Sequence, residues 1–559
     1  MTQSGSSGYT VSDYLFDRIA EIGISHVFGV PGDFNLTFLD TVTAHDRLTW
    51  VGNCNELNAG YCADGYARLK GAAAMVTTFG VGELSAINAT GGSYAEYVPV
   101  LHIVGAPVTE ILTSRKKIHH SLGDGVFTHF YEMAGHVNCA QSWLTPSNAT
   151  SEIDRVITEM LAQRRPAYLV LSPDVAAAEV YPSDEPLEID LARKRSSSAA
   201  LKAFERAARE FLDGHSATVL GDLLVHRVGC IGNFDRMINA NDLPYATLTW
   251  GKTLVDERSD RFAGIYLGAA STPRARDAVE NAERLITIGV EFTDSTTAGF
   301  SMNLGVDRVL EISPTQSAVG GRTFAPLQMG DAIDALARVL ADTEVAPHEL
   351  KKPHVPAEPN PAPDEPLTQN VLWSKVSEWL PEDSLVIADQ GTSFFGMAGS
   401  PLPFGVSFIG QSLWASIGYS IPAALGAGIA NPDRRMVVLV GDGSAQLTVQ
   451  EIATMFREGI NPLIILVNNS GYTIERAIHG PDEVYNDITP YNWQDIPRAF
   501  GGNEDNCLVL DAPTPAALED ALAQADRNRD KLVMIEVHTD RDDYPQMMRS
   551  FTETLGKKH

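Results

Sequence analysis

Cysteine is scarce: Cys54, Cys62, Cys139, Cys230 and Cys507 are the only five in 559 residues. They are odd in number, widely spaced and without a Cys-x-x-Cys pair, which argues against a zinc site and against a disulfide framework. Cys54 and Cys62 read as helix-borne core thiols, and nothing near Cys230 marks it as regulatory. No apolar run is long enough to cross a bilayer, so no membrane is expected as a partner. Positive charge is short as well. Lys and Arg number 42 against 71 Asp and Glu, a net charge of -29 spread along the chain, which argues against nucleic acid and anionic membranes. Residues 1–8 are polar and lack a signal-peptide core. The expectation is a cytoplasmic protein. No short tandem repeat is visible.

A chain of this length exceeds one core, and three domains are expected. Short β-branched runs alternate with helical stretches, the pattern of a parallel sheet covered on both faces. The first block, 1–182, has strands at Ala74-Met75-Val76-Thr77-Thr78-Phe79 and Pro99-Val100-Leu101-His102-Ile103-Val104, and a helix over 12–22. Residues 181–200, rich in Pro, Ser and charge, read as a linker. The second block, 201–345, has strands ending in glycine at Gly221 and Gly289. Residues 344–366 are dense in proline, which sustains neither a helix nor a central strand, and they mark the clearest boundary. The third block, 367–545, has strands at Leu385-Val386-Ile387-Ala388, 436–440 and 463–467, and a tail follows over 546–559. The expected fold is α/β, with three consecutive doubly wound parallel-sheet domains.

The third block carries the most specific motif. The buried-strand signal over 435–440 breaks at Gly441-Asp442-Gly443-Ser444, a helical pattern covers 447–457, and the next strand ends at Asn468-Asn469-Ser470-Gly471-Tyr472. The 24 residues from Ser444 to Val467 leave room for one helix and a return strand. Both loops therefore open at the same carboxyl edge, where ligands bind in open α/β sheets. Asp442 offers a carboxylate oxygen, Asn469 an amide oxygen and Gly471 a carbonyl. Magnesium prefers such ligands and completes its octahedron with phosphate and water. The glycines let backbone approach a diphosphate, and the amides at Ser444 favour an anion. Alone, Gly-Asp-Gly is a polar turn; paired with Asn-Asn at this spacing it is far more specific.

Four other segments hold acid-base residues: Val30-Pro31-Gly32-Asp33-Phe34-Asn35, Asn55-Glu56-Leu57-Asn58-Ala59-Gly60, His119-His120-Ser121-Leu122-Gly123-Asp124-Gly125, and Tyr472-Thr473-Ile474-Glu475-Arg476. Each has a plain reading by itself. Asp33 serves as a turn residue or helix cap, Glu56 as a first-turn acid, the histidines as a solvated loop, and Glu475 as a surface partner of Arg476 or Arg457.

Gly-Asp-Gly, 24 residues and Asn-Asn resemble the diphosphate signature of thiamine-diphosphate enzymes. Nearly the whole chain resembles the bacterial 2-keto acid decarboxylases, among them pyruvate, indolepyruvate and branched-chain keto acid decarboxylases. The resemblance implies a pyrimidine-binding domain at 1–182, a central domain at 201–345, a diphosphate-binding domain at 367–545, and a C-terminal helix near the active site within 546–559. It implies thiamine diphosphate and Mg2+ as cofactors, with Asp442, Asn469 and Gly471 at the metal and Gly443 and Ser444 at the diphosphate. Glu56 matches the glutamate that hydrogen-bonds the aminopyrimidine ring, for which an apolar setting is needed. Asp33, His119, His120 and Glu475 match the four proton carriers that follow decarboxylation, a step that discharges a charge and gains from a site poor in water. The family's site forms between two subunits, which implies a homo-oligomer, a dimer at least and a dimer of dimers in full.

Gly410-Gln411-Ser412-Leu413-Trp414-Ala415-Ser416-Ile417-Gly418 resembles the loop that bends the cofactor. Ile417 would wedge between its rings and the Ala415 carbonyl would accept its amino group. The family commonly has Gly where Ala415 stands. Gln390, in Asp389-Gln390-Gly391-Thr392-Ser393-Phe394-Phe395, resembles the branched-chain and indolepyruvate members rather than pyruvate specialists. By the same resemblance Ser295, Phe394, Phe395, Ile474, Met547 and Phe551 would line an apolar substrate pocket, although paired aromatics are often core. A 2-keto acid larger than pyruvate is the expected substrate. The segment Phe79-Gly80-Val81-Gly82-Glu83-Leu84-Ser85 looks like a dinucleotide fingerprint but lacks its third glycine and its ribose acid. Three activities compete: a non-oxidative decarboxylase, of pyruvate or a larger acid; a carboligase or synthase, whose members lack the paired histidines; and an inactive regulatory homologue, which would need a lost Glu56 or metal ligand.

Overall fold

A computed structural model describes residues 8–183, 185–187, 195–352 and 362–556. Parts of both expected linkers, the lead-in before residue 8 and tail residues 557–559 lie outside the described residues. The backbone divides into two compact units. One comprises Met1–Asp190, Ile421–Asp433 and Thr448–Ile460, the other Leu191–Ser420, Arg434–Leu447 and Asn461–His559.

The first unit is built on a six-stranded parallel sheet of β1 (His26–Gly29), β2 (Thr49–Gly52), β3 (Ala73–Thr78), β4 (Val100–Gly105), β5 (Ala140–Trp143) and β6 (Ala167–Leu171), in the order β2-β1-β3-β4-β6-β5. Strands β3, β4 and β6 are buried at every position, as expected of parallel strands covered on both faces. Asn55 caps the helix Glu56–Lys70 by accepting from the Asn58 N–H. Cys62 lies buried on this helix, whereas Cys54 precedes it and is exposed, so only one of the two is the core thiol expected.

The second unit holds two sheets. The central one contains β7 (His215–Gly221), β8 (Tyr245–Thr247), β9 (Phe262–Ile265), β10 (Arg284–Ile288), β11 (Val309–Ile312), β12 (Ser317–Val319), β13 (Arg322–Phe324) and β14 (Val345–Pro347). Its parallel part runs β9-β8-β7-β10-β11, and β12 and β13 add an antiparallel edge. β14 lies at the start of the proline-dense segment 344–366, for which neither a helix nor a central strand was expected, and it is an edge strand. It pairs with residues 215–217, the start of β7, beyond the reach of β8, which joins β7 only from Val219. An edge position of three residues tolerates Pro347.

The third sheet comprises β15 (Leu385–Ala388), β16 (Ser407–Ile409), β17 (Met436–Gly441), β18 (Leu463–Asn468), β19 (Cys507–Ala512) and β20 (Leu532–His538) in the order β16-β15-β17-β18-β20-β19. This is the order of the first sheet repeated, without a repeat legible in the residues. In both, the strand order reverses between the first strand and the third, and such switch points open ligand crevices at the carboxyl ends. β17 and β18 are neighbours, with Gly441 opposite Val467. The helix after β17 starts at Asp442 itself and is broken by a 3-10 turn, Val449–Glu451, before Ile452–Glu458 resumes. One continuous helix over 447–457 was the expectation.

Candidate functional site

The candidate residues fall into two groups, one on each unit. In the first unit four loops at the carboxyl edge of β1 to β4 carry Asp33, Glu56, Gly80 and the paired histidines. His119 Nε2 donates to Asp33 Oδ2 at 2.7 Å, and His120 Nε2 lies 3.9 Å from the other carboxylate oxygen. Asp33 is therefore not a cap; its carboxylate joins two histidines that are 86 and 87 residues away in sequence. Phe34 stacks on His119 with ring centres 5.0 Å apart and meets His120 edge-on. The apolar ring covers one face of His119, while His119 and Asp33 stay about half exposed. His120 sits at φ 60, a left-handed backbone that is uncommon outside glycine and clusters at functional sites.

Glu56 is half-buried at the first position of its helix. Its surroundings are held by Glu451, a fully buried carboxylate in the 3-10 turn that breaks the helix after β17. Glu451 accepts from Asn53 Nδ2 at 2.9 Å, from Asn58 Nδ2 at 2.7 Å and from the Cys54 N–H at 3.3 Å. Three donors that flank Glu56 thus converge on one acid.

In the second unit Asp442, Asn469 and Gly471 come together. The Asn469 amide oxygen lies 3.0 Å from Asp442 Oδ1 and 3.0 Å from the Gly471 carbonyl oxygen, with its nitrogen 3.0 Å from Thr473 Oγ1. Turned over, the amide would donate to both oxygens. As placed, the amide oxygen faces two other acceptors with no hydrogen between them, an arrangement a cation stabilises. The donor set, a carboxylate, an amide oxygen and a carbonyl, suits a hard cation such as Mg2+. Burial pushes the Asp442 carboxyl up to about 6, against hydrogen bonds from the Gly443 and Gly471 N–H groups, and a divalent cation alongside would reverse that. Gly471 has φ 126, and a Cβ there would come within 2.2 Å of the Asn486 carbonyl oxygen; only glycine fits.

Two further residues brace this loop. Arg476 is buried and donates to the carbonyls of Asn469, Ser470 and Asn486 and to the Asp487 carboxylate. It is taken up there rather than by Glu475, and Arg457 pairs with Glu458. Glu475 itself is exposed on the short helix Thr473–Ile478. Asp389, fully buried after β15, accepts from the Gly418 N–H at 3.1 Å and the Ser420 N–H at 2.9 Å and takes a bond from the Ser444 side chain. It ties the loop over 410–418 to the loop after β17. Gln390 follows Asp389, and its Oε1 is buried without a partner.

Ala415 is exposed at φ 56, a left-handed backbone that favours glycine. Ile417 is half-buried three residues before Ser420. Ser295 Oγ donates to the Ser412 carbonyl at 2.6 Å, so it holds the loop. Phe394, Phe395 and Phe551 are buried in the apolar core of the unit, with Phe395 and Phe551 ring centres 5.0 Å apart. Ile474 and Met547 pack at the margin of that core. Sequence reasoning missed Glu451, Asp389 and Arg476 as supports. Asp389 and Arg476 sit beside residues it did single out, and Glu451 carried no local signal.

Known proteins resemble this chain over most of its length. Residues 9–126 match the family described as thiamine pyrophosphate enzyme, N-terminal TPP binding domain. Residues 204–339 match its central domain, and residues 396–537 its C-terminal TPP binding domain. An alpha-keto-acid decarboxylase from Mycolicibacterium paratuberculosis is 51% identical over 545 residues, covering 97% of this chain and 95% of that protein. Proteins of the same name from Mycobacterium ulcerans and Mycobacterium tuberculosis are 50% and 51% identical over 549 residues, 98% of this chain and 96% and 97% of theirs.

Proposed function

Because the chain belongs to the thiamine-pyrophosphate-dependent alpha-keto-acid decarboxylases, we propose that it removes carbon dioxide from a 2-keto acid without oxidation and releases an aldehyde, using thiamine diphosphate and Mg2+. The observation that carries the reaction class is the Asp33–His119–His120 group. Carboligases of the resembling family lack the paired histidines.

When bound, thiamine diphosphate supplies a carbon nucleophile that takes up the electron pair freed with carbon dioxide. The residues of this chain do the rest. Asp442, Asn469 and Gly471 hold the metal, and Gly443 and Ser444 lie where a diphosphate meets backbone. Glu56 would hydrogen-bond the aminopyrimidine ring through its carboxyl, and Glu451 keeps the start of its helix in place. Ile417 would lie between the two rings of the cofactor, and the Ala415 carbonyl and Gln390 would complete its surroundings. Asp33 orients His119 as a donor through Nε2, and with His120 and Glu475 it delivers the proton that replaces the lost carboxylate. Phe34, stacked on His119, keeps water from one face.

Ser295, Phe394, Phe395, Ile474, Met547 and Phe551 favour a branched, long-chain or aromatic 2-keto acid over pyruvate. The domains are taken as 1–182, 201–345 and 367–545. The two groups of residues are proposed to meet in a homo-oligomer, a dimer at least and a tetramer in full. Exposed Val81 and Leu84, on a helix beside the first group, support such an assembly. Among the described residues no helix is long and apolar enough to cross a membrane, and five free cysteines suit a reducing compartment such as the cytoplasm.

The test supplies purified protein with thiamine diphosphate, Mg2+ and a panel of 2-keto acids, and couples aldehyde formation to an alcohol dehydrogenase. Aldehyde from branched or aromatic acids is expected, abolished by chelation and restored by Mg2+. Carboligation products alone, or full turnover in Glu56→Gln, would overturn the reading.

A further inference from the structure

The segment Phe79-Gly80-Val81-Gly82-Glu83, unfit for a dinucleotide, has no role in the reaction so far. It follows β3 and opens the helix Val81–Ala95, with Gly80 as its cap at φ 63. A Cβ on Gly80 would come within 2.0 Å of the His120 carbonyl oxygen, and a Cβ on Gly82 within 3.2 Å of Glu56 Oε1. Two glycines thus form the floor beneath two of the proposed catalytic groups, one of which, His120, has a left-handed backbone.

What holds this floor is a single buried acid. Glu83 is 4% exposed, and its Oε1 accepts from the Gly80 N–H at 2.7 Å. Its other oxygen accepts from the hydroxyl of Tyr168, which is buried on β6. Tyr168 stands edge-on to His102 on β4, ring centres 5.5 Å apart, and His102 Nε2 lies 2.8 Å from Thr77 Oγ1 on β3. Ile87, Phe130 and Val137 wall the same cavity. An exposed glutamate would cap this helix equally well without desolvation. Burial instead pushes the Glu83 carboxyl up to about 7, and only the bonds from Tyr168 and Gly80 draw it down. Burial also pushes His102 down to about 3, so His102 is neutral and brings no countercharge.

We propose that Glu83 is a positioning residue for the decarboxylation: anchored by Tyr168, its carboxylate fixes Gly80 and Gly82, and through them the His120 backbone and the space of Glu56. This rests on the function proposed above. The test compares Glu83→Asp, Glu83→Gln and wild type as holoenzymes, with circular dichroism as the check on folding. Aspartate is shorter by one carbon–carbon bond, about 1.5 Å, and cannot bridge Gly80 and Tyr168. It should lower kcat about tenfold or more, with KM and thiamine-diphosphate affinity by fluorescence titration within about threefold. Glutamine keeps an acceptor for Gly80 and a donor for Tyr168 Oη, and should recover at least a third of the wild-type kcat. Wild-type kcat in Glu83→Asp, or a rise in KM with kcat unchanged, overturns the role of Glu83. A wild-type chain that turns over no 2-keto acid instead sinks the function on which that role rests.

Discussion

Removing Glu451 should loosen the proposed catalytic glutamate without touching it. The carboxylate accepts from Asn53 Nδ2, Asn58 Nδ2 and the Cys54 N–H. A hydrogen bond to a charged group contributes about 1.5–3 kcal/mol, and each buried donor left unmade costs about 1–3 kcal/mol. Glu451→Ala strands all three, so the unit that contains it should lose about 4–6 kcal/mol. Glu451→Gln is milder for a structural reason. The Asn58 Oδ1 is buried without a partner, so that amide can turn and accept from the new amide nitrogen. Asn53 cannot, because its Oδ1 accepts from the Gly29 N–H at 3.2 Å. About 2 kcal/mol should be lost in Glu451→Gln. Asn58 is also the residue whose N–H meets the cap at Asn55, so Glu56 moves with it. A shift of about 1 Å costs on the order of 100-fold in rate. Urea unfolding followed by circular dichroism, with kcat at saturating substrate, measures both effects. An alanine variant with an unchanged unfolding midpoint and kcat within threefold would refute the coupling.

Two more outcomes follow from groups already described. Glu83 has a folded-state pKa raised to about 7, so the stability it contributes is full below its unfolded value near 4.5 and is lost as pH rises through 7. The difference, about 2.5 units, is worth about 3 kcal/mol. Glu83→Gln should therefore gain on wild type by about that amount between pH 4.5 and 8 in chemical unfolding, and a pH-independent difference would contradict it. Ala415→Gly should relieve a left-handed alanine, worth about 1–2 kcal/mol, against roughly 0.4–1 kcal/mol of added chain entropy. A melting temperature unchanged or slightly raised is expected by calorimetry, and a clear fall would show that the methyl group packs usefully.

What was legible in the sequence was whatever a strand end announces locally. Gly441-Asp442-Gly443 and Asn468-Asn469 follow apolar runs that are buried in the sheet, and the 24 residues between them admit one crossover. Adjacency of β17 and β18 follows from that length. The histidine pair meets Asp33 as its chemistry requires. Less legible was the break at Val449–Glu451, where the apolar pattern runs on through the 3-10 turn. The short strand β14 was also hidden, because it exists only where β7 projects beyond β8. Glu451, Glu83 and Arg476 act by holding backbone or amides that lie far off in sequence or look unremarkable in it. No local pattern distinguishes such an acid from one at the surface.

The central sheet shows that topology alone does not make a site. Its order β9-β8-β7-β10-β11 reverses between β7 and β10, which by the switch-point rule predicts a crevice as open as those of the other two sheets. The loops there bond to each other instead: the Leu224 N–H donates to the Gly289 carbonyl at 3.2 Å, and a Cβ on Gly289 would lie 2.7 Å from the Val225 nitrogen. Asp222 is fully buried after β7, neither of its carboxylate oxygens has a hydrogen-bond partner among the described residues, and desolvation pushes its carboxyl far above the usual range. A buried acid with no donor beside it disfavours an anionic ligand at that strand end. At the β15–β17 switch point Asp389 is buried in the same position after the first strand. There, however, Asp389 spends its bonds on holding Gly418, Ser420 and Ser444. The same acid after the same strand braces a loop in one sheet and stands without a partner in the other, where the loops bond to each other instead.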